Sequence, residues 1–271
     1  MMHEVVESLA GRILIKELLP FTLVEYQEGE FLRVKNNLLS LFDPKEIFLE
    51  SEKIVEKSTI LGFLISGGFP QVNEENNETF RDNWFNSYLE TNIQRDIRSL
   101  SAIQNLGQFS RFVQLIAGRT AKIINHSELG KDIGVTYKTV QHYLSLLEAA
   151  YLIGVTSVGL ERSPLFGHLF ESYVITELLK LSKAFNVRVH FSHFRAGNKE
   201  EIDLVIEYQV KVIPIEIKAS GTIDASWTFN LSRFKEIIKL PPDAPGYVFS
   251  LNSKFMPLGR GNFNIPIQSF C

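Results

Sequence analysis

Apolar residues recur every four positions between residues 80 and 98, where Phe85, Leu89, Ile93 and Ile97 fall on one stripe with Trp84 and Tyr88 beside it. That interval predicts an amphipathic helix. A second helix is expected over 106–118, burying Phe109, Phe112, Val113 and Ile116. A third is expected over 169–183, with Phe170, Val174, Leu178 and Leu181 on its inner side. Residues 30–66 read as mostly helical with a break at Phe42-Asp43-Pro44. Upstream, Pro20 stops any preceding element, Thr22 is placed to cap the next helix, and Glu25 stands at the capping-box position. Gly67-Gly68, closed by Phe69-Pro70, predicts a turn. The polar run 73–78 predicts a surface loop or the first turn of a helix.

From 125 to 152 the pattern becomes more specific. Ser127 is expected to cap a short helix over Glu128–Ile133, Gly134 to make a tight turn, and Val135 to wedge between two helices. Thr136 then caps a longer helix with Val140, Tyr143, Leu144, Leu147 and Leu152 facing inward. Two helices, a short turn containing Gly, and a long second helix make a helix-turn-helix.

After residue 189 the period changes to two. His190–Phe194 reads as a strand and Arg195–Lys199 as a loop. Glu201–Glu207 and Val210–Lys218 read as an antiparallel hairpin turning near Tyr208-Gln209. Pro214 should lack a ladder partner or sit at a bulge. The tail from Pro241 reads as strands and turns, with Tyr247-Val248-Phe249 as the last core strand. The predicted class is α+β: a mostly helical N-terminal half with a helix-turn-helix, then an α/β domain. The expected divisions are 1–70, 71–160 and 161–271.

Composition adds limits. With 28 Lys+Arg against 31 Asp+Glu among 271 residues, the formal net charge of −3 excludes attachment to nucleic acid by bulk charge, and leaves a local basic face open. One cysteine, Cys271, excludes an internal disulfide framework and a thiolate-rich zinc site. Apolar runs are too short to cross a bilayer, and no signal peptide is read, so a reducing, cytoplasmic compartment is expected.

Two clusters carry candidate chemistry. On the longer helix of the helix-turn-helix, the outward residues Tyr137, Lys138, Gln141 and His142 are types that hydrogen-bond phosphates or base edges. Residues 111–150 hold five basic side chains against three acidic ones, a weak positive footprint. The second cluster lies in the hairpin. Glu216 and Lys218 share a strand face inside an otherwise apolar run, where an unpaired charge costs several kcal/mol. With Asp203 on the neighbouring strand, two carboxylates would crowd together and want a cation. Mg²⁺, which takes one or two carboxylates and keeps several waters, suits that arrangement. Glu171, from the preceding helix, could reach the same ion. Lys218 could then orient or deprotonate the attacking water, or stabilise charge on a transferring phosphoryl group. His190 and His193, three apart in a strand, face opposite sides and make a poor metal pair. Ser232 and Lys235 match a Ser-x-x-Lys pattern by chance.

The set Phe170-Glu171, Glu201-Ile202-Asp203 and Ile215-Glu216-Ile217-Lys218 resembles the PD-(D/E)xK nuclease-like fold. Gly11-Arg12, Leu19-Pro20-Phe21-Thr22, Gly67-Gly68-Phe69-Pro70, Tyr88-Leu89-Glu90-Thr91, Arg95-Asp96 and Leu129–Val135 extend the likeness along most of the chain. As a whole the sequence is similar to the C-terminal portion of a family of prokaryotic AAA-type ATPases, with a DUF4143 domain that joins a winged-helix part to a nuclease-like part. The resemblance implies Asp203, Glu216 and Lys218 as catalytic residues and Glu171, Asp203 and Glu216 as metal ligands. Residues 1–70 resemble the tail of the ATPase part. No Gly-x-x-x-x-Gly-Lys-Ser/Thr occurs, since the only Gly-Lys, Gly130-Lys131, precedes Asp132, so no ATP site is expected. About a dozen residues separate Gly154 from Phe166, a short space for a wing. Three functions follow as expectations: a nucleic-acid-binding protein with a nuclease-like fold, a Mg²⁺-dependent DNA nuclease, or a partner of a separate ATPase subunit or of its own copies.

Overall fold

The computed structural model describes residues 18–43, 55–75, 77–88, 90–91, 106–117, 125–150, 166–196 and 200–271. The fold is α+β, with helices through the N-terminal half and a six-stranded mixed sheet in the C-terminal half. The helices are α1 (Leu23–Tyr26), α2 (Phe31–Ser40), α3 (Lys57–Ser66), α4 (Pro70–Glu74), α5 (Glu78–Tyr88), α6 (Leu106–Ala117), α7 (His126–Ile133), α8 (Tyr137–Ala150), α9 (Phe166–Ala184) and α10 (Thr228–Ile237). The strands are β1 (His190–Ala196), β2 (Glu200–Tyr208), β3 (Lys211–Lys218), β4 (Gly246–Ser250), β5 (Met256–Gly259) and β6 (Asn262–Pro266), in the spatial order β1-β2-β3-β4-β6-β5. Among the described residues no helix is long and apolar enough to cross a membrane.

One sheet face, with Leu204, Ile206, Ile213, Ile215, Ile217, Tyr247 and Phe249, packs under α9 and shares a single core with Leu23, Val34, Leu38, Ile60 and Phe63. The N-terminal helices are therefore built into the sheet's core rather than set apart from it. The opposite face, with Ile202, Val205 and Val248, is covered by Leu231 and Phe234 of α10. A separate cluster of Phe109, Phe112, Leu129, Ile133, Val140, Tyr143 and Leu147 holds α6, α7 and α8 together. Fully burying an aliphatic or aromatic side chain is worth about 1.5–3 kcal/mol, so each cluster supplies its own driving force.

Several local expectations are met. Thr22 and Glu25 form the capping box of α1. Gly134 ends α7 in the left-handed region at φ 72°, where a side chain would be strained. Thr136 Oγ1 accepts from the Thr139 N–H at 3.2 Å at the start of α8. Three differ. Asn125, not Ser127, caps α7: its side chain accepts from the backbone N–H of Ser127 and Glu128. The hairpin turn falls at Gln209-Val210, between the end of β2 and the start of β3, with Gln209 at φ 55°. Finally, α5 buries none of its residues: Trp84, Phe85 and Tyr88 gather around Phe69 in a half-exposed aromatic cluster. Leu89, Ile93 and Ile97 lie outside the described residues.

Pro214 pairs with Val205 inside the β2–β3 ladder. Because the Ile217 N–H points toward β2, strand alternation turns position 214 the other way. Parallel pairing with β4 begins only at Ile215, so the missing N–H leaves no ladder bond broken.

Candidate carboxylate–lysine centre

The centre begins with an irregularity in β2. Ser192 pairs with Val205 and Phe194 with Ile202, so Asp203 and Leu204 together stand opposite the single residue His193. Such a bulge re-aims a side chain. The β2–β3 ladder stops at Leu204–Ile215. One step further, Asp203 Oδ2 accepts the Ile217 N–H at 2.7 Å, a carboxylate doing the work of a strand carbonyl. Asp203 is thereby fixed across from Glu216, as the hairpin register implies.

Lys218 closes the arrangement. Its Nζ lies 2.5 Å from Glu216 Oε2 and 3.4 Å from Asp203 Oδ2. Glu216 is 1% exposed, yet Lys218 keeps about a third of its side chain in solvent. Glu216 Oε1 is sealed from solvent without a well-formed hydrogen bond, although the Asn230 side chain of α10 is near enough to favour the carboxylate's charge. Burial, and next Asp203, push the Glu216 carboxyl up to about 7 against the pull of Lys218. Burial pulls the Lys218 ammonium down, but Asp203 and Glu216 outweigh it and the net shift is upward. Lys218 therefore stays protonated at neutral pH. It can orient a ligand or stabilise negative charge, but the expected alternative, proton abstraction from water, does not suit it.

Glu171 arrives from α9. Burial, then Asp203, raise its carboxyl to about 7, with Glu201 and Glu216 adding to the rise and Lys218 opposing it. All four residues expected at this centre thus meet in one electrostatic neighbourhood. Among the described residues no three His, Cys, Asp or Glu side chains are grouped so as to hold a metal ion. The position between Asp203 and Glu216 is taken by the protein's own ammonium.

Three neighbours of the centre, and one buried lysine elsewhere on α10, were given no role from the sequence. Glu201 shares the period of Asp203, which strand alternation could have revealed, and pairs with His193 at 2.9 Å. His168 lies one helical turn before Glu171, its Nδ1 3.8 Å from Glu171 Oε2. That i,i+3 spacing was also legible. Asn230 comes from α10, and only tertiary packing brings it in. Lys235, dismissed with Ser232, is 2% exposed and donates to Arg260 O at 3.0 Å and Asn262 Oδ1 at 2.8 Å, pinning α10 to the β5–β6 turn.

The residues expected on the outer face of a helix-turn-helix divide. Tyr137, Lys138 and Gln141 are exposed on α8, with the Tyr137 ring against His126 at 5.1 Å. His142 is half-buried, and its Nε2 is shut off from solvent without a hydrogen-bond partner. It does not belong to the outward face, because position 142 rotates toward the Tyr143 side of the helix.

Residues 59–159 match the family model described as "Domain of unknown function (DUF8612)", and residues 166–270 match "Domain of unknown function (DUF4143)". The DUF4143 likeness thus covers α9, the whole sheet and α10, including all four residues of the centre. The segment expected to form a helix-turn-helix, and expected to share that likeness, matches a different family model. An uncharacterized protein of Methanocaldococcus jannaschii is 24% identical over 155 residues, 55% of this chain and 33% of that protein. The chain therefore spans about a third of that relative's length. No solved structure matches.

Proposed function

We propose that this protein binds nucleic acid through α7 and α8, and that its sheet half is a nuclease-like domain of the PD-(D/E)xK kind, related to a DUF4143 region of AAA-type ATPases. The observation that carries the reading is the close grouping of Asp203, Glu216 and Lys218 on two adjoining strands, with Glu171 of α9 in the same electrostatic neighbourhood. Binding with slow or no cleavage is favoured over rapid cleavage, because Lys218 is committed to two carboxylates. The exposed Tyr137, Lys138 and Gln141 supply hydrogen-bonding groups for phosphate or base edges.

The centre also fits a hard divalent cation. Its donors are carboxylate oxygens, and Glu216 Oε1 is an orphaned buried acceptor. Asp203 and Glu216 would hold Mg²⁺; the ion would polarise a phosphoryl oxygen and lower the pKa of a bound water. Lys218 would have to leave the space between the two acids, and its charge would then be available to a phosphate oxygen. Glu171, poised near neutrality, holds or releases a proton at the rim.

The reading is tested by fluorescence anisotropy with labelled duplex and single-stranded DNA over a salt series, with and without Mg²⁺. Lys138→Glu should weaken binding similarly for all sequences and reduce the log–log salt slope by about one. Indifference of both affinity and slope to Lys138→Glu would remove the proposed interface. A product ladder in Mg²⁺ that vanishes in Glu216→Ala would shift the reading to an active nuclease.

A further inference from the structure

A cavity of about 400 Å³ lies where the helix-turn-helix meets the rest of the fold. Leu144 and Leu147 of α8 form one wall, Leu169 and Tyr173 of α9 another, and Leu64 and Phe69 a third. Pockets that take small molecules measure about 300–1,000 Å³, are mostly apolar, carry a few polar groups, and favour junctions between structural units. This cavity meets each condition.

Its polar wall indicates the ligand class. Glu177 accepts the Leu23 N–H at 2.9 Å and is ion-paired with Lys180, which donates to Phe21 O at 2.7 Å. These charges neutralise each other and are tied to backbone. Lys183, also in the lining, has a partner of its own. Thr176 Oγ1 donates to Ser172 O at 2.7 Å. Little remains to reward a charged guest, and a charged group left among these side chains would lose its hydration without repayment.

We propose that this cavity binds a neutral, largely apolar small molecule. Because Leu144 and Leu147 belong to the same helix as Tyr137, Lys138 and Gln141, an occupant is placed to steady or shift that helix. The binding claim stands whether or not α8 contacts nucleic acid; only a consequence for nucleic acid would rest on the proposed function.

The test uses the full chain and the neutral fluorescent probe N-phenyl-1-naphthylamine, with decanol as competitor. Saturable, one-to-one emission enhancement displaced by decanol is expected. Decanol should slow amide exchange in α8 and α9. Ser172→Trp, which fills the cavity from α9, should weaken probe binding at least tenfold at unchanged Tm, and Leu64→Trp fills it from α3 should the first variant fold poorly. Unsaturable binding, affinity unchanged in the folded cavity-filling variant, or protection confined to other elements would overturn the proposal.

Discussion

Among the described residues two buried glutamates are ion-paired with lysine, Glu177 with Lys180 and Glu216 with Lys218, and the two pairs differ in how well their charge is met. On α9, Glu177 and Lys180 are one helical turn apart, 2% and 7% exposed. Glu177 is shared between the Leu23 N–H and Lys180, while Lys180 also reaches Phe21 O and sits over the Phe63 ring at 5.5 Å. The pair clamps the 20–26 segment to α9. On β3, Glu216 is as deeply buried, but its Oε1 is orphaned, its partner Lys218 reaches solvent, and a second carboxylate crowds the same ammonium. Neither Glu177 Oε1 nor Glu216 Oε1 has a well-formed hydrogen bond, but both Glu177 oxygens face a donor, Lys180 and the Leu23 N–H, and the pair is shielded from solvent. Charge left half-satisfied beside solvent costs stability and implies a use.

The largest expected effect tests the pair on α9. Glu177→Ala strands Lys180 and the Leu23 N–H, and should cost about 3–5 kcal/mol by urea unfolding. Glu216→Gln, an isostere that leaves Lys218 its contact with Asp203 and replaces a carboxyl whose charge burial already disfavours, should change stability by less than about 1 kcal/mol. Equal costs would erase the distinction.

Next comes the seat of the clamp. A Cβ on Gly68 would lie 2.2 Å from Phe21 O and 2.7 Å from Phe21 N, both backbone atoms that cannot swing aside. Gly68→Ala should lower stability by about 2–4 kcal/mol, read from the same urea curves.

The open pair should also show in pH dependence. Glu171 and Glu216 are held near 7 in the fold against an ordinary 4.5, so between those values the folded state binds more protons than the unfolded one. Their contribution is favourable below about pH 4.5 and is lost as pH rises through 7. After allowance for solvent screening at the half-buried Glu171, the loss should be about 1–2 kcal/mol. Glu171→Gln should flatten the fall in stability from pH 5 to pH 8; a parallel curve would count against the shift. The smallest effect lies outside both pairs: Asn125→Ala removes the α7 cap and should cost about 1 kcal/mol by thermal unfolding.

Much of this was legible in the chain. Period-two spacing put Asp203 and Glu216 on facing strands, and the register Leu204–Ile215 bears that pairing out. Capping chemistry gave α1 and the turn at Gly134. What could not be read depended on long-range packing. The bulge opposite His193, the approach of Asn230 from α10, and the joining of the N-terminal helices to the sheet's core leave no local periodicity. Nor does the sequence distinguish a lysine that waits beside a metal from one that replaces it.

That distinction is open to direct measurement by titrating Mn²⁺ into the wild-type chain, Lys218→Met and Glu216→Ala, with free ion followed by electron paramagnetic resonance. If Lys218 occupies the cation's position, Lys218→Met should bind at least about tenfold more tightly than wild type, the 1.4 kcal/mol equivalent of one displaced contact, and Glu216→Ala should bind weakest. Equal affinities across the three proteins would contradict the claim that Asp203 and Glu216 form a cation site held shut by its own lysine.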